Sequence, residues 1–165
     1  MEPLSQAEIR SSFVNCSKGE AKGVTLPARV ETIPWADIDF LGWRDPKATG
    51  RGYLVLRHEG AAVGLSLRAT TPPRSRLRSS LCNFCMTAHA AADIALFSAR
   101  RAGAAGKAGN TLGVYLCADL ACCLYVRRKL VPEVPQPSET LSVEERVARM
   151  ELNLHRFVAD VLSAP

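Results

Sequence analysis

Four of the six cysteines are spaced for metal chemistry. Cys82-Asn-Phe-Cys85 sets two thiols side by side, and after 31 intervening residues Cys117-Ala-Asp-Leu-Ala-Cys122 supplies a second pair. Zinc takes four thiolates in a tetrahedron, and a ligand pair on a tight turn meets half of that demand. A second pair at a strand-to-helix junction meets the rest, with the helix dipole favouring the thiolate form. Knuckle, hairpin, then helix-borne ligands is the order of a treble-clef finger. Cys122 and Cys123 compete for the fourth position. Cys122 is favoured, because Cys123 would lie about 100° round a helix. His89 is the alternative ligand, and Cys16 stands apart as a core thiol. Four sulfur ligands leave no open position for water, so the expected cofactor is one structural Zn2+.

Other chemistry finds less support. No βαβ pattern surrounds Cys82 and Cys85, as a redox dithiol would require. Gly103-Ala-Ala-Gly106-Lys107 departs from the phosphate-loop pattern, and no Ser or Thr follows the lysine. His58 and His155 lack Ser or Cys partners at a triad spacing. The expectation is a protein that is not an enzyme and takes no small-molecule substrate.

The elements that must position the cysteines are an α+β set: a small antiparallel sheet, the finger, and a C-terminal amphipathic helix. Leu4 to Cys16 reads as a short helix capped by Ser5, and a strand is expected around Ala28–Ile33. The stretch from Trp35 to Pro46 reads as a structural plug carrying both tryptophans. Gly52–His58 and Ala61–Arg68 flank Glu59-Gly60 as a hairpin. Ala69 to Ser80, with Arg74, Arg76 and Arg78, reads as an exposed loop. Strands at Asp93–Ser98 and Thr111–Leu116 enclose a basic loop at 100–109, and a helix follows over Ala118–Lys129. Ser142-Val-Glu-Glu145 is a capping box that opens a helix with Val147, Met150, Leu154, Phe157, Val158 and Val161 on one face. The domain expectation is an N-terminal half over 1–80, the finger over 81–131, a Pro-rich linker over 132–140, and the last helix over 141–163 packed on the same domain.

Net charge is +5, unevenly placed. Arg68 through Lys129 hold ten basic residues against Asp93 and Asp119, whereas residues 132–165 hold three basic and six acidic. A balance of +8 across the finger points to an acidic partner, either a protein surface or nucleic acid. No apolar run approaches the roughly 20 residues of a membrane span, and the N-terminus lacks a basic-then-apolar leader. A cytoplasmic chain with reduced thiols is the expectation. Phe84, between two ligands, reads as exposed; with Tyr115, Tyr125, Arg127 and Arg128 it forms a candidate partner-binding set, suited to a protein hot spot or to stacking on rRNA.

With Cys82-x2-Cys85, Gly109-Asn-Thr-Leu-Gly-Val-Tyr-Leu-Cys117 and Cys122 in place, the sequence resembles the elongation factor G-binding treble-clef zinc-finger domain of the FusB-type fusidic-acid resistance proteins. Asp39-Phe-Leu-Gly-Trp-Arg-Asp-Pro46 and Ser142-Val-Glu-Glu-Arg-Val-Ala-Arg149 extend the resemblance, which is closest to short actinobacterial-style members. It implies zinc ligands Cys82, Cys85, Cys117 and Cys122. It also implies binding to translation elongation factor G, with release of the factor from drug-stalled ribosomes. Binding to the ribosome or rRNA is the alternative.

Overall fold

The computed structural model describes residues 1–71 and 78–163. Its strands are β1 (Phe40–Arg44), β2 (Arg51–His58), β3 (Ala61–Ala69), β4 (Ser79–Leu81), β5 (Ala88–Ala90), β6 (Ile94–Arg100) and β7 (Thr111–Cys117). The helices are α1 (Gln6–Ser11), α2 (Lys18–Lys22), α3 (Gly103–Lys107), α4 (Cys122–Val126) and α5 (Val143–Leu162). Five strands form one antiparallel sheet in the order β1-β2-β3-β6-β7, while β4 and β5 pair separately around the first cysteine pair.

The hairpin of β2 and β3 is the centre of that sheet. Glu59 and Gly60 both take positive φ, 49° and 82°, which gives the turn a twist that matches the strands. Gly52 to Leu56 are buried without a break, because β2 is covered on both faces. One face meets the finger and α5. The other meets the N-terminal segment, where Phe13 bridges to Gly64 and packs edge-on against Tyr53.

α5 docks on its own domain as its pattern predicts. The Ser142/Glu145 capping box is present, and Met150, Leu154, Phe157, Val158 and Val161 are buried. No helix among the described residues is long and apolar enough to cross a membrane.

Several local expectations need correction. The N-terminal helix stops at Ser11 because the next residues pair with β3, and Ser17 with Glu20 caps a second short helix. Ala28–Ile33 is not a strand; Val30–Thr32 makes a 3-10 turn, in a segment held between Pro27 and Pro34. The tryptophan segment does plug the core, with Trp43 donating from Nε1 to Thr25 O at 2.9 Å, but its second half is also the edge strand β1. The basic loop at 100–109 contains α3. The helix expected over 118–129 shrinks to Cys122–Val126, because Leu120 and Arg128 adopt φ of 61° and 57°.

The 132–140 linker is pinned at Gln136, whose side chain exchanges two hydrogen bonds with the Ala88 backbone. Of the loop expected at 69–80, residues 72–77 lie outside the described residues. No division falls at residue 80, since β3 pairs with β6 and a single apolar core runs from Leu4 to Val161.

Candidate metal centre

Two turns bring the four cysteines together. In the first, β4 leads into Cys82, and the Met86 amide donates to Cys82 O at 2.9 Å while Met86 takes φ 57°. In the second, β7 ends on Cys117 and α4 begins on Cys122. The Leu120 amide donates to Cys117 O at 2.9 Å, and Asp119 accepts from the Ala121 amide at 3.0 Å. Gly42 makes that second turn possible: a Cβ there would sit 2.7 Å from Leu120 O and 2.9 Å from Leu120 Cβ.

The Sγ atoms of Cys82, Cys85, Cys117 and Cys122 all lie within 4.8 Å of one another, and all four residues are buried. Cys82 to Cys122 and Cys85 to Cys117 are each 3.6 Å. Zinc–sulfur bonds of about 2.3 Å in a tetrahedron require sulfur–sulfur edges of about 3.8 Å. A disulfide would need about 2.05 Å, and all six cysteines are free.

Electrostatics lead to the same cation. Hydrogen bonds from Cys117, then Cys122 and Cys82, hold the Cys85 thiol far below its ordinary range. Cys122 is pushed far up by Cys117, then by Cys82 and Cys85, and by burial. Four buried sulfurs this close cannot all ionise alone, and a divalent cation lets them do so. The donor set therefore fits one structural Zn2+, held by Cys82, Cys85, Cys117 and Cys122. The ion would cross-link the β4–β5 knuckle to the β7–α4 turn.

The remaining candidates fall outside this set. Cys123 faces Phe40 O at 3.6 Å, and burial pushes its thiol up to about 12. His89 is not a ligand in this geometry; its Nε2 lies 3.4 Å from Cys117 Sγ, in hydrogen-bonding reach of that sulfur. Cys16 is half-exposed instead of sitting in the core. His58 and His155 meet each other, Nδ1 to Nδ1 at 2.8 Å, joining the β2–β3 hairpin to α5.

The partner-binding set divides. Phe84 is only 1% exposed, contrary to expectation. The knuckle is small, but it does not stand alone: the Phe84 ring lies 6.1 Å from Phe40 and 5.8 Å from Phe157, and Asn153 donates to its carbonyl. Arg127 is also committed internally, through a two-pronged ion pair to Asp39 at 2.6 and 2.8 Å. Tyr125 is half-buried; its hydroxyl donates to Asp119 Oδ2 at 2.9 Å and its ring meets His89 edge-on. Burial, then Asp119, raises its phenol.

Tyr115, 53% exposed, and Arg128 remain on the surface. Beside Arg128 the structure adds residues that the sequence reading passed over. Leu81, Met86, Leu130 and Val131 are exposed apolar residues lining a cleft of about 390 Å3, which Arg128 and Arg146 also border. The available signal was Leu130-Val131 directly before Pro132, an apolar pair that no helix could carry into the core.

No curated protein and no solved structure matches the chain. A family description does: the FBP C-terminal treble-clef zinc-finger, over residues 8–161. The matched span contains all four ligands, the whole sheet and nearly all of α5, so the chain belongs to the FBP C-terminal treble-clef zinc-finger family.

Proposed function

We propose that this protein is a zinc-stabilised binding module for translation elongation factor G. It acts in the cytoplasm on the factor's release from the ribosome, by binding and not by catalysis. Family membership and the resemblance to FusB-type zinc fingers support this partner. The observation that carries the reading is the surface beside the metal centre. Leu81, Met86, Leu130 and Val131, the last 77% exposed, leave apolar area uncovered, with Arg128 and Arg146 at its border. Contiguous apolar area rimmed by polar groups is characteristic of a protein-binding site, and arginine at its edge supplies strong contacts. The zinc ion holds the knuckle that presents this surface.

Calorimetry of the zinc-loaded protein against purified elongation factor G, at tens of micromolar, tests the reading. A one-to-one complex is expected, weakened roughly tenfold by Val131→Ser or Arg128→Ala. Absence of any complex at that concentration overturns it.

A further inference from the structure

A second concentration of charge sits at the other end of the β6–β7 ladder, six residues and roughly 20 Å along the strands from Cys117. Arg51 on β2 stands directly opposite Arg68 on β3, and Arg68 stands opposite Ser98 on β6. Arg100 lies two residues further along β6, on the same face, opposite Thr111 on β7. All of these residues line one cleft of about 200 Å3.

The cleft has a structural cause. β3 and β6 pair over only three residues, Leu67–Ala69 against Phe97–Ala99, and then separate. Asn15 fills the fork. Its Nδ2 donates to Ser66 O at 3.0 Å and Arg100 O at 3.1 Å, while its Oδ1 accepts from the Ser66 amide at 2.8 Å. The floor is therefore fixed by hydrogen bonds, and the arginines project above it.

Fold stability accounts for only part of this charge: Arg51 and Arg100 attract the Glu20 carboxylate, and Arg51 also meets the Tyr53 hydroxyl, whereas Arg68 has neither partner. Like charges directly opposite on paired strands destabilise a sheet. Among the described residues, no carboxylate makes an ion pair with Arg51, Arg68 or Arg100. Glu20 lines the same cleft, but it is one charge against three, and its carboxylate accepts from the Ser17 amide at 2.8 Å to close the α2 capping box. Guanidinium forks match the oxygens of phosphate in pairs, and the Ser98 and Thr111 hydroxyls add neutral donors.

We propose that this cleft binds the phosphoryl group of a phosphate ester, with Arg68 at the centre and Arg51 and Arg100 on either side. The site is separate from the surface offered to elongation factor G, so it stands or falls independently of that partner.

The test uses the full zinc-loaded chain with three probes: inorganic phosphate, uridine 5′-monophosphate and a ten-nucleotide oligouridylate. Thermal midpoints at matched ionic strength read the small anions, since a ligand that binds only the folded state raises the midpoint. Fluorescence anisotropy reads the labelled oligonucleotide. Arg68→Gln and Arg100→Gln are each expected to weaken binding roughly tenfold, the loss of one charge-assisted hydrogen-bond pair. Arg156→Gln, on the exposed side of α5, serves as the control and should bind as the parent does.

Arg68→Gln is also expected to keep or raise the unliganded midpoint, because it removes a like-charge pair. Binding of the mononucleotide at full strength identifies a small phosphate ester as the ligand. Binding of the oligonucleotide alone identifies a nucleic-acid backbone, with a log–log salt slope that flattens by about 0.7 in Arg68→Gln. Either result supports the site. Failure of all three probes to bind at millimolar concentration and low salt overturns it, as does parental affinity in Arg68→Gln, Arg100→Gln and Arg51→Gln.

Discussion

Replacing Phe84 by alanine separates two roles that its position between zinc ligands leaves easy to confuse. If the ring belonged to an interface, its loss would cost partner affinity and leave the fold alone. The structure assigns it to the core: 1% exposed, edge-on to Phe40 at 6.1 Å and against Phe157 at 5.8 Å. Truncating a buried Phe to Ala costs about 3–5 kcal/mol, and aromatic contacts add about 0.5–1.5 kcal/mol to such a site. The upper half of the first range is therefore expected, near 4 kcal/mol. For a chain of this size about 1 kcal/mol moves the thermal midpoint by about 2–4 °C, so the shift is of order 10 °C. Phe84→Leu keeps most of the volume and should lose less than half as much. Urea titration of the zinc-loaded protein, followed through Trp35 and Trp43, measures the stability difference. A chromogenic chelator reports zinc loss in parallel, and zinc should leave at lower urea in Phe84→Ala, because Cys82 and Cys85 flank the void. A midpoint within 2 °C of the parent, with partner binding abolished, would refute the assignment.

Other perturbations probe the remaining supports of the site. Asp39→Ala leaves the Arg127 guanidinium without its carboxylate, where both side chains are largely covered; a loss of about 3–5 kcal/mol is expected by urea titration, with Asp39→Ala/Arg127→Met recovering a good part of it. Gly42→Ala drives a methyl into the Leu120 backbone at 2.7 Å, so it should cost about 1–3 kcal/mol and speed zinc release in a chelator assay, although residue 42 ligates nothing. Zinc binding to the apo chain should expel protons from the cysteine thiols, because four buried sulfurs this close ionise together only around a cation. Each proton released makes apparent affinity rise about tenfold per pH unit below the thiol range, up to four protons for four thiolates, and calorimetry in buffers of different ionisation heat counts them.

Much of this site was legible because its signals are local. Two cysteines on a tight turn and two at a strand end specify a metal by spacing alone, and the Ser142/Glu145 box marks the start of α5 within one turn. Glu59-Gly60 identifies the central hairpin for the same reason: Gly60 supplies positive φ freely, as a two-residue turn requires. What spacing could not carry was the destination of side chains that leave the finger. Phe84 is buried by Phe40 and Phe157, 44 and 73 positions away in the sequence, and Arg127 is claimed by Asp39, 88 positions away. Those contacts depend on how the sheet and α5 close over the knuckle. The short helices failed differently. Asn15 has a poor helical propensity and a better use, bridging β3 to β6, so tertiary contacts ended the N-terminal helix early.

Closure of the sheet over the knuckle changes what loss of zinc must do. A finger spanning 81–131 as a separate unit would unfold alone in Cys82→Ser or Cys117→Ser and leave an intact N-terminal half. The structure has no such unit: β6 and β7 are two of five strands in the sheet, Leu120 fills the space beside Gly42, and Phe84 contacts both β1 and α5. Structural zinc in small domains contributes about 10–16 kcal/mol of apparent binding energy, which matches or exceeds the 5–15 kcal/mol by which domains are stable at all. Removing one ligand should therefore abolish the cooperative transition of the whole chain, including the fluorescence change of Trp35 and Trp43 far outside the cysteine segment. A Cys82→Ser protein whose tryptophans still reported a cooperative, native-like transition would show that the sheet stands without the metal and that sheet and finger do not fold as one core.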